Sequence, residues 1–183
     1  MSRGVDLVIK VGGSLARDGG LAERLRPIQL LRERQALLVV PGGGAFADTV
    51  RAVSARHGLG GSTAHWMAIL GMDQYAHVLG DVLVRSAVVR RPAGIAEALA
   101  EGSLPVLAPF EWMHEVDPLP HSWSVTGDSI AAWVAGVLSA RKLILLKSRA
   151  DRASVDAYFS KALPSGLEWE TLTPDSAEWQ RIT

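Results

Sequence analysis

The chain has no cysteine, so disulfides and thiolate metal sites are excluded, while the compartment is left open by that absence. It has no excess of charge. Nineteen basic residues face nineteen acidic ones, and the formal net charge is zero. Broad binding to nucleic acid or to an anionic membrane is therefore not expected, and any anion site must be local. No apolar run is long enough to span a bilayer, because charged residues interrupt all of them. The opening MSRGVDLVIK carries no long apolar stretch ahead of a small-residue cleavage site, so no signal peptide is read and a cytoplasmic location is expected. There is no internal repeat, low-complexity segment or linker. With 183 residues, 48% hydrophobic and 21% charged, a single domain over 1–183 with a sizeable core is expected.

What is present alternates between two patterns. Val5 to Val11 reads as a buried strand, and GLAERLRPIQLLRERQ has helical spacing with Pro27 as a break or kink. ALLVVPGGG is a second buried strand ending in three glycines, and AFADTVRAVSARHG is an amphipathic helix stopped by Gly58. A long helix is expected over STAHWMAILGMDQYAHVLGDVLV, with Ser62 or Thr63 as N-cap, then a short helix GIAEALAEG and a strand LPVLAPF. DSIAAWVAGVLSA and KLILLKS read as a further helix and strand, and the tail as a helix SVDAYFSKAL, a strand LEWETLT and a last turn PDSAEWQ. Residues 110–126, rich in Pro, Trp and His, read as one long loop. Strands alternating with helices predict a three-layer α/β/α sandwich on a mostly parallel sheet, with ligands at the carboxyl ends of the strands.

Three stretches at those ends carry the chemistry. In VIKVGGS a lysine sits inside a buried strand, which is costly unless its charge has a partner. Either Gly12 and Gly13 make a tight turn beside a solvated lysine, or Lys10 and the glycine N–H groups face a phosphate. Gly42, Gly43 and Gly44 then follow a second strand and open a helix, where N–H groups favour an anion. Close backbone approach and positive φ at Gly43 are expected. Neither cluster is a Walker A or a G-x-G-x-x-G sequence. In SVTGDSIAAW, Thr126 or Asp128 can cap the next helix; alternatively Asp128 lies near phosphates and holds Lys10 or a Mg²⁺ ion.

In that order, IKVGGS, VVPGGGAFAD and VTGDSIAAWVAG resemble the amino-acid kinase family, which includes carbamate, acetylglutamate, aspartate and uridylate kinases. The resemblance implies that Lys10 contacts the transferring phosphoryl group and that Asp128 orients catalytic lysines. It assigns Gly12, Gly13, Ser14, Thr126 and Ser148 to the nucleotide, and Gly42, Gly43 and Gly44 to the acceptor. Members of the family commonly carry a segment like T-D-V-D-G after the last shared strand, leading to the adenine site and a second lysine. Here that place reads LLKSRADRAS, so either Lys147 supplies the second charge or the ATP-side lobe is reduced. AHWMAILGMDQYAHVLGD, WSVTGDSIAAW, LILLKS and VDAYF are similar to the short aspartokinase-related kinases of methanogens and methylotrophs. Their archaeal members phosphorylate an aminomethyl-furan-methyl phosphate in methanofuran synthesis.

The expectation is an ATP-dependent kinase of a small phosphate acceptor, with residues 1–110 mainly on the acceptor side and 111–183 mainly on the nucleotide side. ATP and Mg²⁺ are the implied cofactors, and no nucleic acid or membrane partner is expected. Whether the chain forms a homo-oligomer is open. His65, Trp66, Met67 and Asp73 lie along one helix, which is either ordinary core or brings His65 and Asp73 to the acceptor pocket. The spacing of His114, Asp117 and His121 is too loose for a metal site, Trp112 and Trp123 pack the loop or wall an aromatic ligand, and Arg90 and Arg91 read as a solvated face. A kinase of an amino-acid carboxylate or of UMP is the alternative activity. A nucleotide-binding sensor without catalysis is the alternative class.

Overall fold

The structure, a computed structural model, describes residues 4–17, 19–149 and 155–181. The segment 150–154, where the family resemblance breaks off and where the helix expected over 154–163 begins, lies outside the described residues. Strands β1 (Leu7–Val11), β2 (Leu37–Pro41), β3 (Ser86–Val89), β4 (Leu104–Leu107), β5 (Lys142–Leu146) and β6 (Glu168–Leu172) form one parallel sheet in the order β3-β4-β2-β1-β5-β6.

The alternation of side chains along a strand explains why these strands are continuously apolar. Val8, Leu38, Val40, Leu143 and Leu145 join one core, whereas Leu7, Ile9, Val39, Ile144 and Leu146 join the other. Both faces of the sheet are therefore buried. The first face is covered by α5 (Pro92–Ala100), α6 (Phe110–Val116) and α7 (Gly127–Val137), through Ile95, Trp112 and Ile130. The second is covered by α2 (Arg26–Leu31), the later turns of α4 (Gly61–Val82) and α9 (Ala177–Arg181), through Ile28, Tyr75 and Trp179. The result is the expected three-layer α/β/α sandwich. The same period of two puts Lys10 on the face of Val8, the side that α7 covers.

The central strands bring the site together. Val11 is level with Pro41 on one side and Leu146 on the other, so the segments starting at Gly12, Gly42 and Lys147 leave the sheet side by side. Helix α3 (Gly44–His57) and α7 begin at this edge.

Several local expectations are corrected. The break near Pro27 separates α1 (Leu21–Arg24) from α2, with Pro27 in the first turn of α2, where its missing N–H costs nothing. Gly60, not Ser62 or Thr63, is the N-cap of α4, and the Ser62 hydroxyl instead meets His121. The segment 110–126 is not one loop, since its first seven residues form α6 around the buried Trp112 and Met113. The strand expected to run to Phe110 ends at Leu107. Ser86–Val89, unnoticed in the sequence, is an edge strand with only Val89 buried, so it shows weak patterning. The tail helix is a single turn, α8 (Phe159–Ala162).

Candidate active site

Lys10 is the penultimate residue of β1 and points beneath the first turn of α7. Its Nζ lies 3.0 Å from Asp128 Oδ1. From the other side, Lys147, the first residue after β5, donates to Asp128 Oδ2 at 2.6 Å. The side chains of Lys10, Asp128 and Lys147 are 9%, 5% and 12% exposed, which answers how a lysine is tolerated inside a buried strand. Burial alone would push the Asp128 pKa up. The positive charges of Lys10 and Lys147, with their hydrogen bonds, outweigh it and hold the carboxyl below its ordinary value. The triplet is thus a buried cation–carboxylate–cation unit with one net positive charge.

Thr126 stands at the N-cap position of α7, as one of the two expected residues, but neither its side chain nor that of Asp128 caps the helix. Asp156 reaches across instead. Its Oδ2 accepts from the N–H groups of Thr126 at 2.9 Å and Ser129 at 3.0 Å, and from the Thr126 hydroxyl at 2.8 Å. The Ser129 hydroxyl donates to its other oxygen. A carboxylate at a helix N-terminus satisfies first-turn N–H groups and the helix dipole together. Asp128 is thereby left for the lysines. No sequence pattern pairs Asp156 with Thr126, so this residue was missed.

The glycines work mainly by closeness. A Cβ on Gly13 would sit 2.1 Å from backbone atoms of Gly44, and one on Gly127 would sit 3.2 Å from both the Gly42 Cα and the Lys10 Cε. The two glycine turns and the start of α7 therefore touch through their backbones. Two of the expected phosphate donors are spent on this junction: Gly12 N–H donates to Leu146 at 2.7 Å and Gly42 N–H to Val11 at 2.8 Å. Gly43 and Gly44 open α3, where first-turn N–H groups have no intrahelical acceptor. The positive φ expected at Gly43 belongs to Gly44 (φ 55°), while Gly43 is at φ −79°. Gly13→Ala is expected to force the two turns apart and lower kcat/KM by on the order of 10²-fold, since a displacement of about 1 Å has that effect on a positioned reaction. Steady-state kinetics alongside a melting curve check it, and wild-type kinetics would show that the junction tolerates a methyl group.

A cavity of about 250 Å³ lies over Lys10, between Gly13, Gly43, Gly44, His65 and Gly127. That size suits a small molecule rather than a polymer. His65, on α4, forms part of the wall and stacks on His121 with ring centroids 4.6 Å apart. Burial first, and then the charge of His121, lower its pKa from 6.5 to about 4, against the opposing pull of Asp117. Folded His65 is therefore neutral where an unfolded one takes a proton. Stability should fall as pH drops from about 6.5 towards 4. His65→Asn should flatten that dependence; urea midpoints at several pH values measure it, and an unchanged slope would assign the effect to another group.

Asp73 does not reach this cavity. Its carboxylate accepts the Phe110 N–H at 2.9 Å, two turns of α4 away from His65, beside Arg90 and Arg91. His121 is bonded at 2.8 Å to Ser62 through Nδ1 and at 2.8 Å to Asp117 through Nε2, so both ring nitrogens are engaged. Ser14 and Ser148 meet, with the Ser14 hydroxyl donating at 3.0 Å. The carboxylates around the cavity do not fit a protein-held Mg²⁺. Both oxygens of Asp128 face lysines and both of Asp48 face arginines. Among the described residues no group of three or more His, Asp or Glu side chains is placed to bind a metal. Among the same residues, no helix is long and apolar enough to cross a membrane.

Comparison with known proteins bears on the family and the fold. A sequence model described as the amino acid kinase family matches residues 7–150. The [5-(aminomethyl)furan-3-yl]methyl phosphate kinase of Methanocaldococcus jannaschii is 25% identical over 162 residues, spanning 87% of this chain and 70% of that protein. Among solved structures, the uridylate kinase from Archaeoglobus fulgidus superposes with a TM-score of 0.61 at 19% identity, over 80% of this chain and 64% of that one. The UMP kinase from Ureaplasma parvum gives 0.62 at 16% identity, over 81% and 68%. At these identities the two structures speak for the fold.

Proposed function

The chain belongs to the amino acid kinase family, and from that premise we propose that it is a phosphotransferase that moves the γ-phosphoryl group of ATP onto a small phosphomonoester. The observation that carries the proposal is the buried Lys10–Asp128–Lys147 unit beneath a small cavity framed by two glycine turns. An oxygen of the acceptor phosphate forms the new bond to the γ-phosphorus. The bond from that phosphorus to the bridging oxygen breaks, its electron pair leaves with ADP, and the acceptor becomes a diphosphate. Catalysis of this kind is mostly positioning and charge stabilisation. Lys10 and Lys147 offset charge on the transferring group, and Asp128 keeps their ammonium groups in place.

What the cavity offers as a base sets an alcohol acceptor aside and leaves phosphates and carboxylates, which attack without losing a proton; the choice between these two rests on the likeness to a phosphate kinase. An alcohol must give up a proton, which calls for a general base with a pKa near the working pH. Asp128 is ionised but turned to two ammonium groups, and His65, at about 4, is a weak base. A phosphate dianion attacks without losing a proton. The likeness to a kinase of [5-(aminomethyl)furan-3-yl]methyl phosphate supports that ester, of methanofuran-type biosynthesis, as the first acceptor to test. In this reading residues 1–110 serve mainly the acceptor and 111–183 mainly the nucleotide.

The test is ATP turnover with a panel of acceptors: the furan phosphate, UMP, isopentenyl phosphate, aspartate and acetylglutamate. ADP release is expected with a phosphomonoester and not with the two amino-acid carboxylates. Release with a carboxylate alone would overturn the acceptor class. Binding of ATP with no acceptor-dependent release would make the protein a sensor.

A further inference from the structure

A second cation–carboxylate–cation unit lines the same cavity, at its mouth. Asp48, on α3 just past the second glycine turn, accepts from Arg17 at 2.8 Å on Oδ2 and from Arg51 at 3.0 Å on Oδ1. The Arg51 guanidinium carbon lies 4.7 Å from the centroid of the Trp123 ring, which also borders the cavity. All four side chains border the cavity that Lys10 floors, and the transfer described above uses none of them. Exposed ion pairs add little to stability, so the consequence of this unit lies in where it holds the two guanidinium groups. A guanidinium has five N–H donors, and Asp48 accepts one from each arginine. The unit carries one net positive charge and an open set of donors directed by a single carboxylate.

We propose that Arg17 and Arg51, set by Asp48, bind the phosphate dianion of the acceptor, with Trp123 walling the group that bears it. The inference rests on the phosphomonoester reading and names the residues that would make it selective. Bringing that phosphate to within about 3–3.5 Å of the γ-phosphorus sets two anions against each other. Lys10 and Lys147 offset the charge on the donor side. The acceptor side needs cations of its own, and a guanidinium suits phosphate because it donates two parallel N–H bonds. The cation–π contact with Trp123 restrains the Arg51 guanidinium, so less freedom is lost when the ester binds. The ring of a planar ester would meet the rest of the indole face.

The experiment is calorimetric titration with inorganic phosphate and with phenyl phosphate, on wild type, Arg17→Gln, Arg51→Gln and Arg56→Gln. Arg56 is exposed near the far end of the same helix and controls for a general loss of positive charge. Each of Arg17→Gln and Arg51→Gln is expected to weaken phenyl phosphate by roughly tenfold or more, with ATP affinity kept and Arg56→Gln like wild type. Kinetically, the acceptor KM should rise with little change in the KM for ATP. Unchanged phosphate affinity in both arginine variants would overturn the subsite, as would an equal loss in Arg56→Gln. If phosphomonoesters are turned over with unchanged acceptor KM in both variants, the kinase reading stands and the subsite falls. If the arginines govern phosphate binding but wild type phosphorylates no phosphomonoester, the acceptor reading falls and the anion subsite stands.

Discussion

Asp128→Asn should lose most of its turnover, roughly 10²-fold or more in kcat, and part of its stability. The carboxylate stands between two buried ammonium groups, at 3.0 and 2.6 Å. A carboxamide has one acceptor oxygen for two cations and turns N–H groups towards the other. Leaving one buried charge unpaired costs about 3–5 kcal/mol. The loss should be reversible in one respect: phosphate or ATP supplies the missing negative charge, so either should raise the melting temperature of the variant more than that of wild type. Acid stability offers a separate check. The folded carboxyl titrates below its ordinary value of 3.8, so its contribution is full above that pH and disappears as pH falls through the lowered value. That component should be missing from the variant. A folded Asp128→Asn protein with ordinary turnover would show that the charge is structural only. Because Asp156 caps α7, loss of a helix cap cannot explain either result.

Lys10→Ala should be the purer catalytic lesion. Lys147 remains 2.6 Å from Asp128, so the carboxylate keeps a partner and the stability cost stays below that of an orphaned buried charge. What is lost is a cation at the end of β1, facing the cavity between the glycine turns. If that cation stabilises charge that develops during transfer, kcat and kcat/KM fall together by roughly 10²-fold or more, with smaller changes in ligand affinity. A rise in KM alone would mean that Lys10 binds ground state and transition state equally, and a near-wild-type kcat would remove it from the chemistry. Lys10→Arg keeps the charge but not its position. It should recover little, because a planar guanidinium places its donors differently from an ammonium between Asp128 and the cavity.

Much of this was legible along the chain because it depends on neighbours in sequence. Continuous apolar runs at LVIKV and LLVVP meant strands buried on both faces, and β1 and β2 are buried along their whole length. Pro27 marked a helix boundary and Gly58 a helix stop, at φ 62°. Edges with little burial, such as Ser86–Val89, escaped because a strand with one buried residue carries almost no periodic signal. At the site, the glycine clusters stood out by composition, but their reason did not. Gly13 is a glycine because the Gly44 backbone occupies its Cβ space, and Gly44 because its φ is 55° with Gly13 close by, a fact about two turns that are distant in sequence.

Read alone, the sequence determined most of the alternation of strands and helices, a mostly parallel sheet, and the three strand ends where an anion would be handled. Those properties follow from periods of two and 3.6 residues and from what glycine permits locally. Only the tertiary structure decided which charge meets which. It gave Asp128 to Lys10 and Lys147, handed the cap of α7 to Asp156, turned Asp73 away to the Phe110 N–H, and set Asp48 between Arg17 and Arg51. The reason is that an ion pair is specified by separation in space, within a few ångströms, and strand order in the sheet sets that separation for residues the chain holds far apart.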